Sequence, residues 1–314
     1  MFASLSQRWT NAGFVGKFFM LSIATCILGS SLLVGRILMP WTPIKIDHLQ
    51  GKVATLNIGH RGAAGLAPEN TLMAFEAAQK SDAQGVEFDV MLTADKQLVV
   101  FHDQVLQKRL KDKKGKVRDL TLKQLNDMLD LSVYYKMRTH AKDVPAIFRQ
   151  AKIPTLRAVF DYYKKYPKIV LNVEIKNKDA SDKGAERKIA ALIKSYQFEK
   201  RVIISSFNPL AVWRFRGYAP GIPTGLIYAN EGVPYYIKKL WLMWLAQPDA
   251  VHPDFKMVDE AYMKWAKQRG FAVNVWTVNE PEDMKRMLKL GVNMIITDYP
   301  DRLAKVLKEQ AATK

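Results

Sequence analysis

The chain has 314 residues, 48% of them hydrophobic and 25% charged, which excludes a disordered polymer and allows one large domain with an appendage. A formal net charge of +18 favours polyanionic partners: nucleic acid, an anionic lipid surface or a phosphorylated substrate. The single cysteine, Cys26, excludes an intramolecular disulfide.

In chain order, a short tail (1–17) precedes residues 18–35, which carry no charge between Lys17 and Arg36. That run lies near the lower limit of about 18–20 residues for a spanning helix, and exceeds the apolar core of about 7–15 residues in a cleaved signal. Residues 18–36 are therefore expected to be one transmembrane anchor. Positive charges nearly balance across it, so orientation follows from size: short tail inside, large domain outside, extracytoplasmic (periplasmic). Residues 37–54, with Pro40 and Pro43 and no periodicity, read as a linker.

From 55 to 310, short β-like runs alternate with helical patterns, which predicts an α/β chain of parallel βαβ units. The predicted strands are 56–59, 85–92, 169–175, 201–205, 223–227, 250–252, 272–277 and 294–297. Helices are predicted at 71–79, 186–196, 259–268 and 282–290. Eight units over about 250 residues predict a closed (β/α)8 TIM barrel; an open doubly wound sheet is the alternative. Residues 98–102 follow the second strand after only five residues, too few for a parallel crossover, so they must return as an antiparallel hairpin. A turn centred near Asp95–Lys96 would set Asp89 opposite His102. Residues 104–152 fit no barrel unit and form an insertion after that hairpin, with thirteen Lys or Arg against five Asp. Residues 232–247, GVPYYIKKLWLMWLAQ, fit either an ordinary barrel helix or an interfacial one, with aromatics and lysines at headgroup depth.

The chemistry gathers at the C-terminal ends of predicted strands, where barrel active sites lie. Glu87 and Asp89 are two apart on one strand and share a face, as do Glu174 and Lys176. If that face is the barrel interior, three carboxylates are buried, and a hard divalent cation, Ca²⁺ or Mg²⁺, is their natural partner. Ion pairs lining a barrel mouth are the bland alternative. His60 and His102, at neighbouring strand ends near the carboxylates, suit an acid–base pair better than isolated structural histidines would.

His60-Arg61-Gly62 with Pro68-Glu69-Asn70-Thr71 resembles the opening motif of the glycerophosphodiester phosphodiesterase family. Glu87-x-Asp89, Thr93-x-Asp95 and Val99-Val100-x-His102-Asp103 resemble its second block; Ile153-Pro154-Thr155-Leu156, Glu174-x-Lys176, Ser205-Ser206-Phe207, Trp276-Thr277-Val278-Asn279 and Ile296-Thr297-Asp298 resemble the later ones. The matches run in order from about Leu56 to Leu307. The resemblance implies metal-dependent hydrolysis of glycerophosphodiesters to glycerol phosphate and an alcohol. It implies Glu87, Asp89 and Glu174 as metal ligands and His60 and His102 as general acid and base. It further implies Arg61 and Lys176 on the phosphate, with Phe207 and Trp276 along the glycerol or alcohol side. Glu69 and Asn70 are expected to fix the loop after His60, with Asn70 capping the helix at Thr71. Competing readings are lysophospholipase D-type hydrolysis of lysophospholipids at the membrane, a related barrel that cyclises choline lipids, and a non-catalytic basic lipid-binding module. No nucleic-acid motif accompanies the basic residues, so nucleic acid is not expected as a partner.

Overall fold

The computed structural model describes residues 41–312 apart from 52, 111, 178–183 and 232–241, together with positions 18, 21–23, 25, 27, 29, 31 and 35. The chain divides into two compact units, Met1–Trp41 and Thr42–Lys314. In the first, the described positions between 18 and 35 are helical, and Phe18, Leu21, Ile23 and Ile27 are exposed. Among the described residues no helix is long and apolar enough to cross a membrane. Much of the expected anchor at 18–36 lies outside the described residues, as does most of the 232–247 segment.

In the second unit, apolar runs with few breaks form strands buried on both faces, as parallel sheets require. The strands are β1 (Leu56–Gly59), β2 (Gly85–Leu92), β3 (Leu98–Val100), β4 (Val170–Ile175), β5 (Val202–Ser206), β6 (Thr224–Tyr228), β7 (Ala250–Pro253), β8 (Ala272–Val275) and β9 (Met294–Thr297). Their order is β1-β9-β8-β7-β6-β5-β4-β2-β3, and β1 also pairs with β2, which closes eight parallel strands into a (β/α)8 barrel. In chain order the helices begin with α1 (Asp47–Gln50), α2 (Leu72–Lys80), α3 (Leu122–Met128), α4 (Ser132–Thr139) and α5 (Leu156–Tyr163). They are followed by α6 (Ala185–Tyr196), α7 (Pro209–Tyr218), α8 (Met243–Ala246), α9 (Glu260–Gln268), α10 (Pro281–Leu290) and α11 (Pro300–Ala312). Local chemistry sets the helix starts: Thr155 and Asp259 accept from the N–H groups of Ala158 and Tyr262, and Pro281 opens α10.

The alternation along β2 decides which side chains reach the interior. Val86, Phe88 and Val90 join the layer between strands and helices, where Phe88 meets Phe75 edge to face at 5.5 Å. Burying one such aromatic contributes roughly 1.5–3 kcal/mol. Period-two geometry then turns Glu87 and Asp89 inward. On β4, Leu171, Val173 and Ile175 likewise face the helices, leaving Asn172 and Glu174 to the interior.

The structure departs from the sequence expectations at three places. Residues 37–54 are not one linker: the division falls at Trp41, and Ile46 and Leu49 are buried with Leu56, Ala272 and Met294 from the N-terminal ends of the strands. Asp249 accepts the Ile44 N–H at 2.8 Å and ties this segment to the barrel. The hairpin register is shifted by one. Val90 pairs with Val100, and the Asp89 carbonyl accepts the Phe101 N–H at 2.9 Å, so Phe101 and not His102 stands opposite Asp89. The cause is a three-residue loop, Ala94-Asp95-Lys96, closed by Thr93 and Gln97, with Lys96 left-handed at φ 59. Finally, α2 is capped by Thr71, whose hydroxyl accepts from Ala74 N, and Asn70 is used elsewhere. The insertion builds its own small core, with Leu106, Val117, Leu125, Leu131 and Tyr134 packed on Met91, Val99 and Phe101 of the hairpin.

Candidate active site

β1 ends at Gly59 and the chain turns through His60, Arg61 and Gly62. Gly62 is left-handed at φ 89, and a Cβ there would lie 2.7 Å from the Ala74 backbone, so only glycine lets this loop sit on the first turn of α2. The turn aims the Arg61 N–H at Glu87 Oε2, 3.0 Å away, and brings His60 Nε2 to 3.8 Å from the same oxygen.

Glu87, Asp89 and Glu174 converge: one ligand atom from each lies within 4.8 Å of the others. Glu87 Oε1, Asp89 Oδ1 and Glu174 Oε1 are buried and accept no hydrogen bond. Lys176 Nζ stands 3.1 Å from that Asp89 oxygen and 2.6 Å from that Glu174 oxygen, off hydrogen-bond geometry. Three hard, inward-facing carboxylate oxygens at this spacing fit a divalent cation. Asp89 is further held by Asn70, whose Nδ2 donates to Oδ2 at 2.8 Å while its Oδ1 accepts the Asp89 N–H at 3.2 Å.

Burial, reinforced by Asp89 and Glu174, holds the Glu87 carboxyl well above the usual range. Burial also pushes Glu174 up to about 7, with Lys176 opposing and Asp89 adding. For Asp89 burial is outweighed by Lys176, His102, Arg61 and the Asn70 bond, which keep it ionised well below the usual carboxylate range.

Each histidine donates from Nδ1 to a carboxylate: His60 to Asp298 Oδ1 and His102 to Asp103 Oδ1, both at 2.7 Å. Ionised Asp298 can only accept, so the Nδ1 of His60 must carry the proton and its Nε2 is left bare. Burial keeps His60 below the usual imidazole range against the pull of Asp298. Burial, then Arg61 and Lys176, brings His102 down to about 4.

A cavity of about 270 Å³ opens over this cluster, lined by His60, Arg61, Glu87, His102, Glu174, Lys176, Phe207 and Trp276 among others. Asp89 sits beneath its floor, 1% exposed. Phe207 and Trp276 stand edge to face at 5.5 Å, and Lys176 Nζ lies 5.7 Å from the Phe207 ring centre. All nine residues singled out from sequence are thus brought to one rim. Several others escaped that reading. Asp298 and Asp103 hold the imidazoles, Asn279 donates to Asp298 at 2.9 Å, and Arg138 reaches the cavity from the insertion. Below, Asn172, Ser205 and His252 add a polar floor. Asp103 follows His102 directly and Asp298 directly follows the last strand, which were the available signals; Arg138 had none to mark it among the twelve other basic residues of the insertion.

A model of the Glycerophosphoryl diester phosphodiesterase family matches residues 60–302. A glycerophosphodiester phosphodiesterase of Caldanaerobacter subterraneus subsp. tengcongensis is 36% identical over 256 residues, covering 81% of this chain and 98% of that protein. The crystal structure of a putative glycerophosphoryl diester phosphodiesterase from Silicibacter pomeroyi DSS-3 superposes with a TM-score of 0.72 at 28% identity, over 85% of this chain and 97% of that one. A phosphodiesterase from Oleispira antarctica, solved with the product sn-glycerol-3-phosphate, superposes with a TM-score of 0.63 at 25% identity, over 80% and 96%.

Proposed function

The chain belongs to the glycerophosphoryl diester phosphodiesterase family and hydrolyses glycerophosphodiesters to glycerol phosphate and an alcohol, and from that premise we propose how its residues divide the work. The observation that carries the reading is the convergence of three buried carboxylates with two carboxylate-bound histidines at one barrel rim. Glu87, Asp89 and Glu174 hold a divalent cation, Ca²⁺ or Mg²⁺, which when bound neutralises and polarises the phosphoryl oxygens. Arg61 and Lys176 bind the phosphate and offset charge that builds in the transition state. Phe207 and Trp276 wall the alcohol side. One imidazole Nε2 takes the proton of the attacking oxygen, and the other, protonated at Nε2, gives its proton to the departing alkoxide. The attacker is water or the substrate's own glycerol hydroxyl, and detection of a cyclic phosphate distinguishes them. His60→Ala and His102→Ala should each abolish turnover of glycerophosphoethanolamine while calorimetry still finds metal binding. Near-wild-type turnover in either variant refutes the assignment. Chelation should stop the reaction, and readdition of each ion in turn names the metal.

For substrate size we favour a deacylated headgroup over a lysophospholipid, because the cavity lined by the described residues, about 270 Å³, lies below the roughly 300–1,000 Å³ of pockets that hold larger ligands. Comparable rates on lysophosphatidylethanolamine would reverse that preference. We further infer that residues 18–36 tether the enzyme to a membrane with its barrel extracytoplasmic, on the strength of the uncharged run between Lys17 and Arg36. Recovery of the full chain in the soluble fraction, or protection of the barrel from external protease in intact spheroplasts, would contradict it.

A further inference from the structure

Glu69 is 6% exposed and has three guanidinium groups on its carboxylate. Arg61 Nη1 donates to Oε1 at 2.8 Å. Arg109 Nη2 donates to Oε1 at 2.5 Å and its Nη1 to Oε2 at 3.1 Å. Arg138 donates to Oε2 from Nη2 at 2.8 Å and from Nε at 3.2 Å. Arg61 belongs to the turn after β1, whereas Arg109 and Arg138 both come from the basic insertion.

Each insertion arginine has a second partner, and in each case it is the carboxylate that holds a catalytic imidazole. Arg109 Nε donates to Asp103 Oδ2 at 2.8 Å, while His102 Nδ1 uses the other oxygen at 2.7 Å. Arg138 Nη1 donates to Asp298 Oδ2 at 2.9 Å and Oδ1 at 3.1 Å, beside His60 Nδ1 at 2.7 Å. Asp103 and Asp298 are each 3% exposed, so neither is a surface pair of negligible worth. A planar guanidinium bridges two carboxylates with its donors in a rigid fork, whereas a lysine ammonium on a flexible stem can meet two carboxylates but does not fix their relative orientation. Tyr134, from α4, supports the arrangement: its ring lies under Arg109 at 4.2 Å.

We propose that Arg109 and Arg138 are positioning residues that use Glu69 as a common anchor and each orient one histidine through its aspartate. The insertion is thereby a working part of the acid–base machinery, and docking it on Glu69 aligns both imidazoles together. This rests on His60 and His102 being the acid–base pair.

The test compares Arg138→Ala, Arg109→Ala, the corresponding lysine variants and Lys142→Ala, an exposed insertion cation outside the network. Turnover of glycerophosphoethanolamine, metal affinity by calorimetry and the downfield imidazole Nδ1–H resonances are measured on the full chain. Arg138→Ala should lower kcat roughly 10–100-fold with little change in KM, the loss usual when a group supporting a site residue is removed. It should erase the Nδ1–H resonance of His60 and leave that of His102; Arg109→Ala should do the converse. Metal affinity should stay close to wild type, the lysine variants should fall between, and Glu69→Gln should disturb both resonances. If an alanine variant does not fold, its lysine counterpart carries the same comparison. Wild-type kcat with both resonances intact, or equal loss of both in either arginine variant, overturns the proposal. Should His60→Ala and His102→Ala be inactive while the arginine variants behave as wild type, only this inference fails; activity in the histidine variants instead removes its premise.

Discussion

His60 Nδ1 and Asp298 Oδ1 stand 2.7 Å apart across the seam where β1 and β9 close the barrel, although 238 positions separate them in the chain. The His60 N–H also donates to the Thr297 carbonyl at 2.7 Å, so ladder and side chain are set by one register. Barrel closure and orientation of this imidazole are therefore the same event.

Asp298→Asn tests that link directly. An amide in place of the carboxylate can present a donor to Nδ1, which favours the tautomer whose proton sits on the reacting Nε2. Turnover should fall by on the order of 100-fold or more, because a misdirected imidazole cannot accept the proton. Unchanged kcat for this variant would mean that His60 needs no carboxylate partner.

Asn70→Ala should weaken metal binding by roughly 10–100-fold, since Asp89 would keep its charge but lose the amide that fixes its rotamer. Calorimetric titration of the metal-free protein measures this. Wild-type affinity would show that Lys176 and Arg61 suffice to hold Asp89.

Metal binding should release protons near neutral pH. Burial raises Glu87 and brings Glu174 up to about 7, so the metal-free protein holds protons there that a cation must displace. Affinity should therefore rise as pH increases through 7 and fall as it decreases. Calorimetry in buffers of different ionisation enthalpy should give a positive count of released protons; a count of zero at pH 6.5 would contradict the raised carboxyls.

Gly225→Ala should destabilise the barrel by about 1–3 kcal/mol through overpacking. Its Cβ would lie 2.3 Å from Nε2 of His252, a buried ring on the cavity floor that Asn274 contacts at 2.9 Å. Urea unfolding followed by circular dichroism gives the value, and an unchanged midpoint would show that His252 can move aside.

Much of this protein is written locally. The run Val86-Glu87-Phe88-Asp89-Val90 alone dictates that two acids face opposite to three apolar side chains, because strand geometry alternates and the apolar set must meet the helices. The same period placed Glu174 and Lys176, and regular strand–helix alternation foretold the eight-stranded barrel. Tertiary structure decided what no period encodes. Closure of β9 on β1 supplied Asp298, the left-handed turn at Asn70 carried its amide to Asp89, and a three-residue loop moved the hairpin by one position. It also chose Arg109 and Arg138 from thirteen similar cations to face inward on Glu69. Periodicity specifies which face a side chain takes, whereas its partner depends on register and closure between segments far apart in the chain.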